Sequence, residues 1–522
     1  MTKYVVMTGG VVSGLGKGIT AASLGTLLKS RGYKVTLQKF DPYFNVDSSH
    51  LSPYQHGEVF VTVDGAETDL VIGHYERFIN GNLTGRSDVT SGRVYATVID
   101  NEREGKYDGS TVQVVPHITD EIRNQLLKFD DDTIVIVDVG GTVGDIECTP
   151  FLEAFKQLRV LAGADNVAYV HVSYVPFIEM SGEQKTKPTQ HSVKELQNVG
   201  IQPDVIVCRS DYPLEAGSKK KMAAFCNVHA DCIIENLTCD RILEIPLMLE
   251  KEGFASAVLR KLKLEDRPAD LTEWKSVLAL AYDTRKTRTA KLAIVGKYVE
   301  MHDAYVSLYE SVKYAAIDLK VRFELDGICS DKITAETLSQ LDGYDGIILP
   351  AGFGERGFEG KVLVAGYARE KNIPCLMIGM GAQAGLVEFA RGCAGLKGAN
   401  SHEFDPSADC PVICRGLVPF KKGAHATILT PGTRLAAVYG TDRIDMRHRH
   451  RYEMNPEYEK DLTAAGLVVS GRTEEGYIDA FELPGSKFYV GVAFQPEFES
   501  KVGHPDKLIR AFVETTSRPI KK

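Results

Sequence analysis

Runs of β-branched and other apolar residues recur along the first 210 positions, and helical patterns separate them. "KYVVMTG" (3–9) leads into a glycine-rich turn. "ITAASLGTLLKSRG" (19–32) then spaces its apolar residues as a helix does, with Gly32 as its stop. "KVTLQKFD" (34–41) begins at once. Strand, turn, helix and strand in that order make a βαβ unit, so a parallel sheet is expected. "TIVIVDVGG" (133–141), "NVAYVHVSYV" (166–175) and "PDVIVCRS" (203–210) read as further buried strands. Strand signals stop near residue 248. Residues 265–290 are charged, mostly helical and basic at their end, and read as an interdomain connection. A second series follows in "KLAIVGKY" (291–298), "YDGIILPAGFG" (344–354), "IPCLMIGMG" (373–381) and "FYVGVAFQPEF" (488–498). The pattern predicts an α/β chain of two domains, residues 1–264 and 291–522, joined by 265–290.

Composition narrows the chemistry. The 522 residues, 43% hydrophobic and 25% charged, suit two or three globular domains. A net charge of −9 gives no general attraction to nucleic acid or anionic membrane. A polyanionic ligand must therefore be held by a local cluster of lysines, arginines and backbone amides. No apolar run approaches the ~18 residues of a membrane span, and the run after Met1 is too short for a signal peptide. Ten cysteines without a CxxC pair read as reduced, mostly buried thiols of a cytoplasmic protein.

"GGVVSGLGKG" (9–18) joins the first strand to the first helix. Small residues let backbone N–H groups converge on phosphate oxygens, the helix N-terminus adds partial positive charge, and Lys17 supplies a cation. The spacing is G-x5-G-K rather than G-x4-G-K-[ST], and Gly18 stands where a metal-binding hydroxyl is usual. Magnesium with a nucleoside triphosphate needs carboxylate oxygens, and Asp138 ends a buried strand at the edge where ligands collect. The lesser, alternative reading of Asp138 is a cap of the next turn. Beyond it, Asp145 and Glu147 offer acceptors for sugar hydroxyls or a base amine. "KTKPTQ" (185–190) reads either as an anion-binding run or as a solvated basic loop, and Lys39 faces the same crevice.

"IPCLMIGMGAQ" (373–383) has the form of a nucleophile elbow, a strand running into a sharp glycine turn. At its apex, where a thiol or hydroxyl belongs, stands Gly379.

Taken together, "TGGVVSGLGKGITAASLG", "KFDPYFNVD", "SPYQHGEVFVT", "GHYERF", "GGTVGDIE", "GEQKTKPTQHSVKEL" and "RHRHRYE" resemble the CTP synthase family, and the resemblance spans essentially the whole chain. It implies an N-terminal P-loop domain, dethiobiotin-synthetase-like, with a parallel sheet. A C-terminal class I glutamine-amidotransferase-like domain of flavodoxin type would follow. The implied activity phosphorylates the 4-oxygen of UTP with ATP and Mg²⁺ and displaces the phosphate with ammonia from glutamine. Ser13, Gly14, Leu15, Gly16, Lys17, Gly18, Arg209 and Asp240 would bind ATP. Ser13, Asp145, Ile146, Glu147, Lys185, Thr186, Lys187, Pro188, Thr189, Gln190 and Lys221 would bind UTP or CTP. Lys17 and Lys39 would act in catalysis, Asp138 would hold the metal, and Pro53, His56 and Val59 would gate ammonia. A homotetramer is implied, with filaments left open.

Four departures alter that picture. Gly379 replaces the expected cysteine nucleophile, and Gln495 replaces the expected histidine, although Glu497 is kept. A thioester needs a thiolate and its proton traffic an imidazole. Between "PVICRGLV" and "GTRLA" the chain is shorter, by roughly half a dozen residues, than the lid over the family's glutamine site. Val71 stands where the resemblance implies a second metal-binding aspartate. Gly352, Arg356 and Glu403 keep the oxyanion-turn and glutamine-pocket frame. The leading expectation is an ATP-dependent ligase that takes ammonia or another small amine rather than glutamine. A non-catalytic nucleotide-binding paralogue that regulates an active CTP synthase is the alternative. A changed acceptor, such as a modified pyrimidine nucleotide, is a third reading, to which "SSH" (48–50) would belong.

Overall fold

The computed structural model describes residues 1–129 and 131–520. The chain divides into two compact units, and the division is not the expected linear one. One unit holds Met1–His50 and Val71–Glu273, the other Leu51–Leu70 and Trp274–Lys522. Among the described residues, no helix is long and apolar enough to cross a membrane.

The first unit is built on β1 (Lys3–Gly9), α1 (Lys17–Lys29), β2 (Val35–Asp41), α2 (Leu70–Ile79), β3 (Asp88–Thr90), β4 (Ile134–Val139), β5 (Val167–Tyr174), α3 (Lys187–Asn198), β6 (Val205–Ser210) and β7 (Ile233–Leu237). Its sheet runs β7-β6-β5-β1-β4-β2-β3 and every pairing is parallel. Helices cover both faces, so Val5, Val6 and Ile134–Val137 are wholly buried, which is why these strands read as continuous apolar runs. The edge strands β3 and β7 carried no comparable signal. The first has three residues, and Glu235 and Asn236 interrupt the second.

The second unit continues with β8 (Arg288–Gly296), α4 (Val306–Asp318), β9 (Val321–Cys329), β10 (Gly346–Leu349), β11 (Cys375–Ile378), α5 (Met380–Gly392), β12 (Lys421–Leu429), β13 (Arg443–His450), β14 (Ile478–Glu482) and β15 (Tyr489–Val492). Its parallel core is β9-β8-β10-β11-β15, with β14 antiparallel to β15, and β12 and β13 form a long hairpin. The expected connection 265–290 contains a helix, Thr272–Tyr282, but its last three residues already belong to β8.

Residues 51–70, expected in the N-terminal domain, pack into this second unit instead. Phe60 meets Phe498 with ring centroids 4.9 Å apart, and the Val61 carbonyl accepts from Arg447 Nη1 at 3.1 Å. Buried Glu67 accepts from Arg449 Nε at 2.8 Å and from Lys422 Nζ at 2.9 Å. Gly65 and Gly423, both at positive φ, bring two backbones together: a Cβ on Gly423 would lie 2.6 Å from the Gly65 nitrogen. Periodicity cannot report such an excursion, because the segment holds only a four-residue helix and two strands of two residues each. The cysteines are all free thiols, but five of the ten are buried rather than most, and Cys393 is exposed.

Candidate functional site

The loop after β1 is shaped by glycine. Gly14 and Gly16 lie at φ 73° and 77°, and Gly16 is the N-cap of α1. The N–H groups from Val12 to Gly18 have no backbone acceptor among the described residues, so they remain available to an anion at the helix N-terminus. Close approach is also required: a Cβ on Gly10 would lie 1.7 Å from Ser192 Oγ on α3. Below it, buried His171 bridges Thr8 Oγ1 at 2.9 Å and Ser192 Oγ at 2.8 Å. Burial pushes its pKa down to about 3, so the bridge is made by a neutral ring.

Parallel register sets the charged groups side by side. Asp138 on β4 lies opposite Met7 on β1 and Lys39 on β2. Lys39 pairs with Asp41 at 2.9 Å, both buried. Lys17 Nζ donates to the carbonyls of Val139, at 2.8 Å, and Gly141. Burial lowers its pKa, and Asp138 opposes that shift. Tyr75 OH donates to Asp138 Oδ2 at 2.6 Å, while buried Oδ1 has no hydrogen-bond partner among the described residues. Val71 lies one turn before Tyr75 on α2, on the same face. A Cβ on Gly18 would meet Val71 Cγ1 at 2.9 Å and Asp138 Oδ2 at 3.6 Å. An apolar side chain therefore sits at the start of α1, beside the carboxylate.

The remaining expected nucleotide residues fall into three groups. Asp145, Ile146 and Glu147 form an exposed turn in which Asp145 Oδ2 accepts from Thr142 N at 3.1 Å. Ile146 and Glu147 line an open cleft of about 510 Å³ with Pro42, Tyr43, Phe44 and Tyr95. Lys185 pairs with Glu183, whose carboxyl Lys185 holds below its usual range with help from exposed Lys221. The 185–190 run and Lys221 are thus neighbours. Lys187 and Pro188 open α3, so four of the run's six residues are helix rather than loop. Thr189 is wholly buried, its hydroxyl donating to the Tyr174 carbonyl at 3.1 Å. Gln190 is also buried and donates to Thr186 Oγ1 at 3.0 Å. Both shape the run from beneath. At the end of β6, Arg209 donates to the Leu237 carbonyl at 3.0 Å, while Asp240 is exposed.

In the second unit the elbow keeps its backbone. Gly379 caps α5 at φ 54°, ψ −116°, and its N–H donates to the Val492 carbonyl at 2.8 Å. Added there, a Cβ would stand 3.1 Å from the Ala351 Cβ. The facing turn around Gly352 is fastened from three sides. Wholly buried Lys361 donates to the Pro350 carbonyl at 2.6 Å, Lys297 to the Gly354 carbonyl at 2.6 Å, and Glu403 Oε1 accepts from Gly354 N at 2.6 Å. Burial, then mutual repulsion with Lys297, brings the Lys361 pKa down to about 7. Arg356 pairs with Asp331. Gln495 Nε2 reaches Glu497 Oε1 at 3.4 Å, and burial pushes the Glu497 carboxyl up to about 8. Cys375 is wholly buried inside β11. Pro53 and His56 bound a short helix, and the chain just before Val59 is anchored by Glu58, which accepts from Ser307 N at 3.0 Å at the start of α4.

Residues 3–264 match the family described as CTP synthase N-terminus, and residues 300–515 match glutamine amidotransferase class-I. A CTP synthase of Moorella thermoacetica is 48% identical over 531 residues, covering 99% of this chain and 98% of its own. One from Pyrococcus furiosus is 47% identical over 527 residues, covering 98% of this chain and 97% of its own. This chain belongs to the CTP synthase family.

The first unit offers groups that suit a magnesium-bound nucleotide: amides at a helix N-terminus and Asp138 Oδ1, without acceptor or donor among the described residues, and buried Lys39. These fit a metal held by one protein carboxylate and phosphate oxygens. Sequence reasoning missed Tyr75, Asp41 and His171. Asp41 was legible in principle, two residues after Lys39 on one strand face. Tyr75 was legible only through its i,i+4 relation to Val71. Nothing in the sequence marked His171, a buried polar residue in an apolar strand.

Proposed function

We propose that this CTP synthase relative aminates UTP, or a closely related pyrimidine nucleotide, with ATP, and takes its nitrogen from ammonia or another small amine. The uracil 4-oxygen attacks the γ-phosphorus of ATP, ADP leaves, ammonia adds at C4, and phosphate departs with the former 4-oxygen. The amides of residues 12–18 and Lys17 bind the triphosphate, Lys39 stabilises the charge that develops in transfer, and Asp138 holds magnesium. Bound magnesium would neutralise phosphate charge. Asp145, Glu147, the 185–190 run and Lys221 orient the pyrimidine nucleotide.

One observation carries the nitrogen source: the elbow apex has no side chain, and Ala351 lies where one would extend. Gln495 has no basic nitrogen with which to relay a proton. Purified protein given UTP, ATP and magnesium should form CTP with ammonium chloride and none with glutamine alone, read by mass of product. Glutamate released in step with CTP from glutamine alone would overturn the reading. Assembly into homotetramers belongs to the same proposal and is tested by sedimentation.

Val71 favours a second reading. Its methyl groups sit beside Gly18 and Asp138, where a metal ligand would help most. A non-catalytic partner that binds nucleotide and regulates an active CTP synthase would tolerate this. UTP binding without ADP release under any amine selects that reading.

A further inference from the structure

Away from both sites, the second unit holds a buried group of metal-type donors on neighbouring strands. His448 and His450 lie two apart on β13, facing one side of the strand, and Asp479 lies on β14. One donor atom from each lies within 4.8 Å of the others, and all three residues are at least nine-tenths buried.

The hydrogen bonds around them have a particular sense. His448 Nδ1 faces the Met446 carbonyl at 2.9 Å, and His450 Nδ1 faces the Tyr452 carbonyl at 3.1 Å. A carbonyl only accepts, so both rings carry a proton on Nδ1, which leaves Nε2 as the atom each ring in its neutral form can offer a metal. Backbone carbonyls holding the far nitrogen of an imidazole are the usual outer support of a metal-bound histidine. Thr427 on β12 donates to Asp479 Oδ2 and orients the carboxylate in the same way. His448 Nε2 and Asp479 Oδ1 are 3.1 Å apart, near the ~3.3 Å edge of a tetrahedron with bonds of about 2.0–2.1 Å.

We propose that His448, His450 and Asp479 bind one divalent transition-metal ion, of the zinc or cobalt type, through the two Nε2 atoms and a carboxylate oxygen. One fact stands against the alternative, a plain ion pair between a protonated His448 and Asp479: among the described residues, buried His450 Nε2 has no hydrogen-bond partner, a cost an ion pair elsewhere does not relieve. Three protein donors leave one tetrahedral position for a water.

The test uses the full chain, stripped with a chelator and titrated with cobalt(II) alone. One equivalent per chain should give d–d absorption without thiolate charge transfer, and zinc should displace it. His450→Ala should abolish the bands, and Thr427→Val should weaken binding by about 10- to 100-fold, as loss of outer support does. Circular dichroism checks the fold of each, and Thr427→Val decides if His450→Ala does not fold. Absence of the bands, or bands unchanged in these variants, would overturn the site and leave the ion pair.

Discussion

Val71 and Tyr75 present one helix face to Asp138, and they treat that carboxylate differently. Tyr75 donates a hydrogen bond to one oxygen, while Val71 places methyl groups next to the loop. Aspartate is close to valine in size, so Val71→Asp adds a carboxylate without crowding. Its repulsion from Asp138 is relieved only by a cation, so magnesium affinity should rise, and ADP release should increase by about tenfold, ~1.4 kcal/mol off the barrier. An unchanged rate would show that Val71 does not limit transfer. Gly379 makes a contrasting case. Gly379→Cys restores a thiol, but its backbone stays at φ 54° and the new Cβ presses on Ala351. The variant should lose about 1–3 kcal/mol in urea unfolding and still release no glutamate, because Gln495 supplies no base. Glutamate release by this single variant would show that another group moves the proton.

At the scale of elements, strands buried on both faces announced themselves as apolar runs, and the glycine loop after β1 was legible from spacing alone. Strands β3 and β7 were not, because three residues, or an interrupted five, carry too little pattern. Within the site, Lys39 and Asp138 could be placed at strand ends because parallel strands align their carboxyl ends, and Lys17 at the start of α1 from the spacing of the glycine loop. Thr189 could not be told from exposed Lys187, since burial of a threonine on the first turn of α3 depends on what packs beneath it. The turn before α5 leads to a test of its own. Buried Glu497 has its carboxyl raised to about 8, against about 4.3 in an unfolded chain. The folded state keeps that proton longer, so the contribution is complete below about pH 4.3 and lost as the pH climbs through about 8. Glu497→Gln never ionises. Between about pH 5 and pH 8 its urea midpoint should fall less than that of the parent. A residual fall remains from Asp506, raised by burial to about 7. Parallel midpoint curves would show that Glu497 is already ionised in the folded protein.

For the whole molecule, sequence order and spatial order part company at residue 51. A fragment ending near residue 273 would strand Phe60 and Val61, which the full chain buries against Phe498 and Arg447. Such a fragment should bind a hydrophobic dye and be cut by protease between 51 and 70, while the full chain resists both. Equal resistance would show that the segment folds without its neighbours. Heredity meets the same constraint. A single crossover that exchanges the later half of the gene leaves Leu51–Leu70 behind, matched to a Glu67 receptor and a Gly65–Gly423 contact it no longer meets. Descendants with a new C-terminal half therefore need two coordinated exchanges. Exchanging single residues in place, as at Gly379 and Gln495, is the shorter evolutionary path.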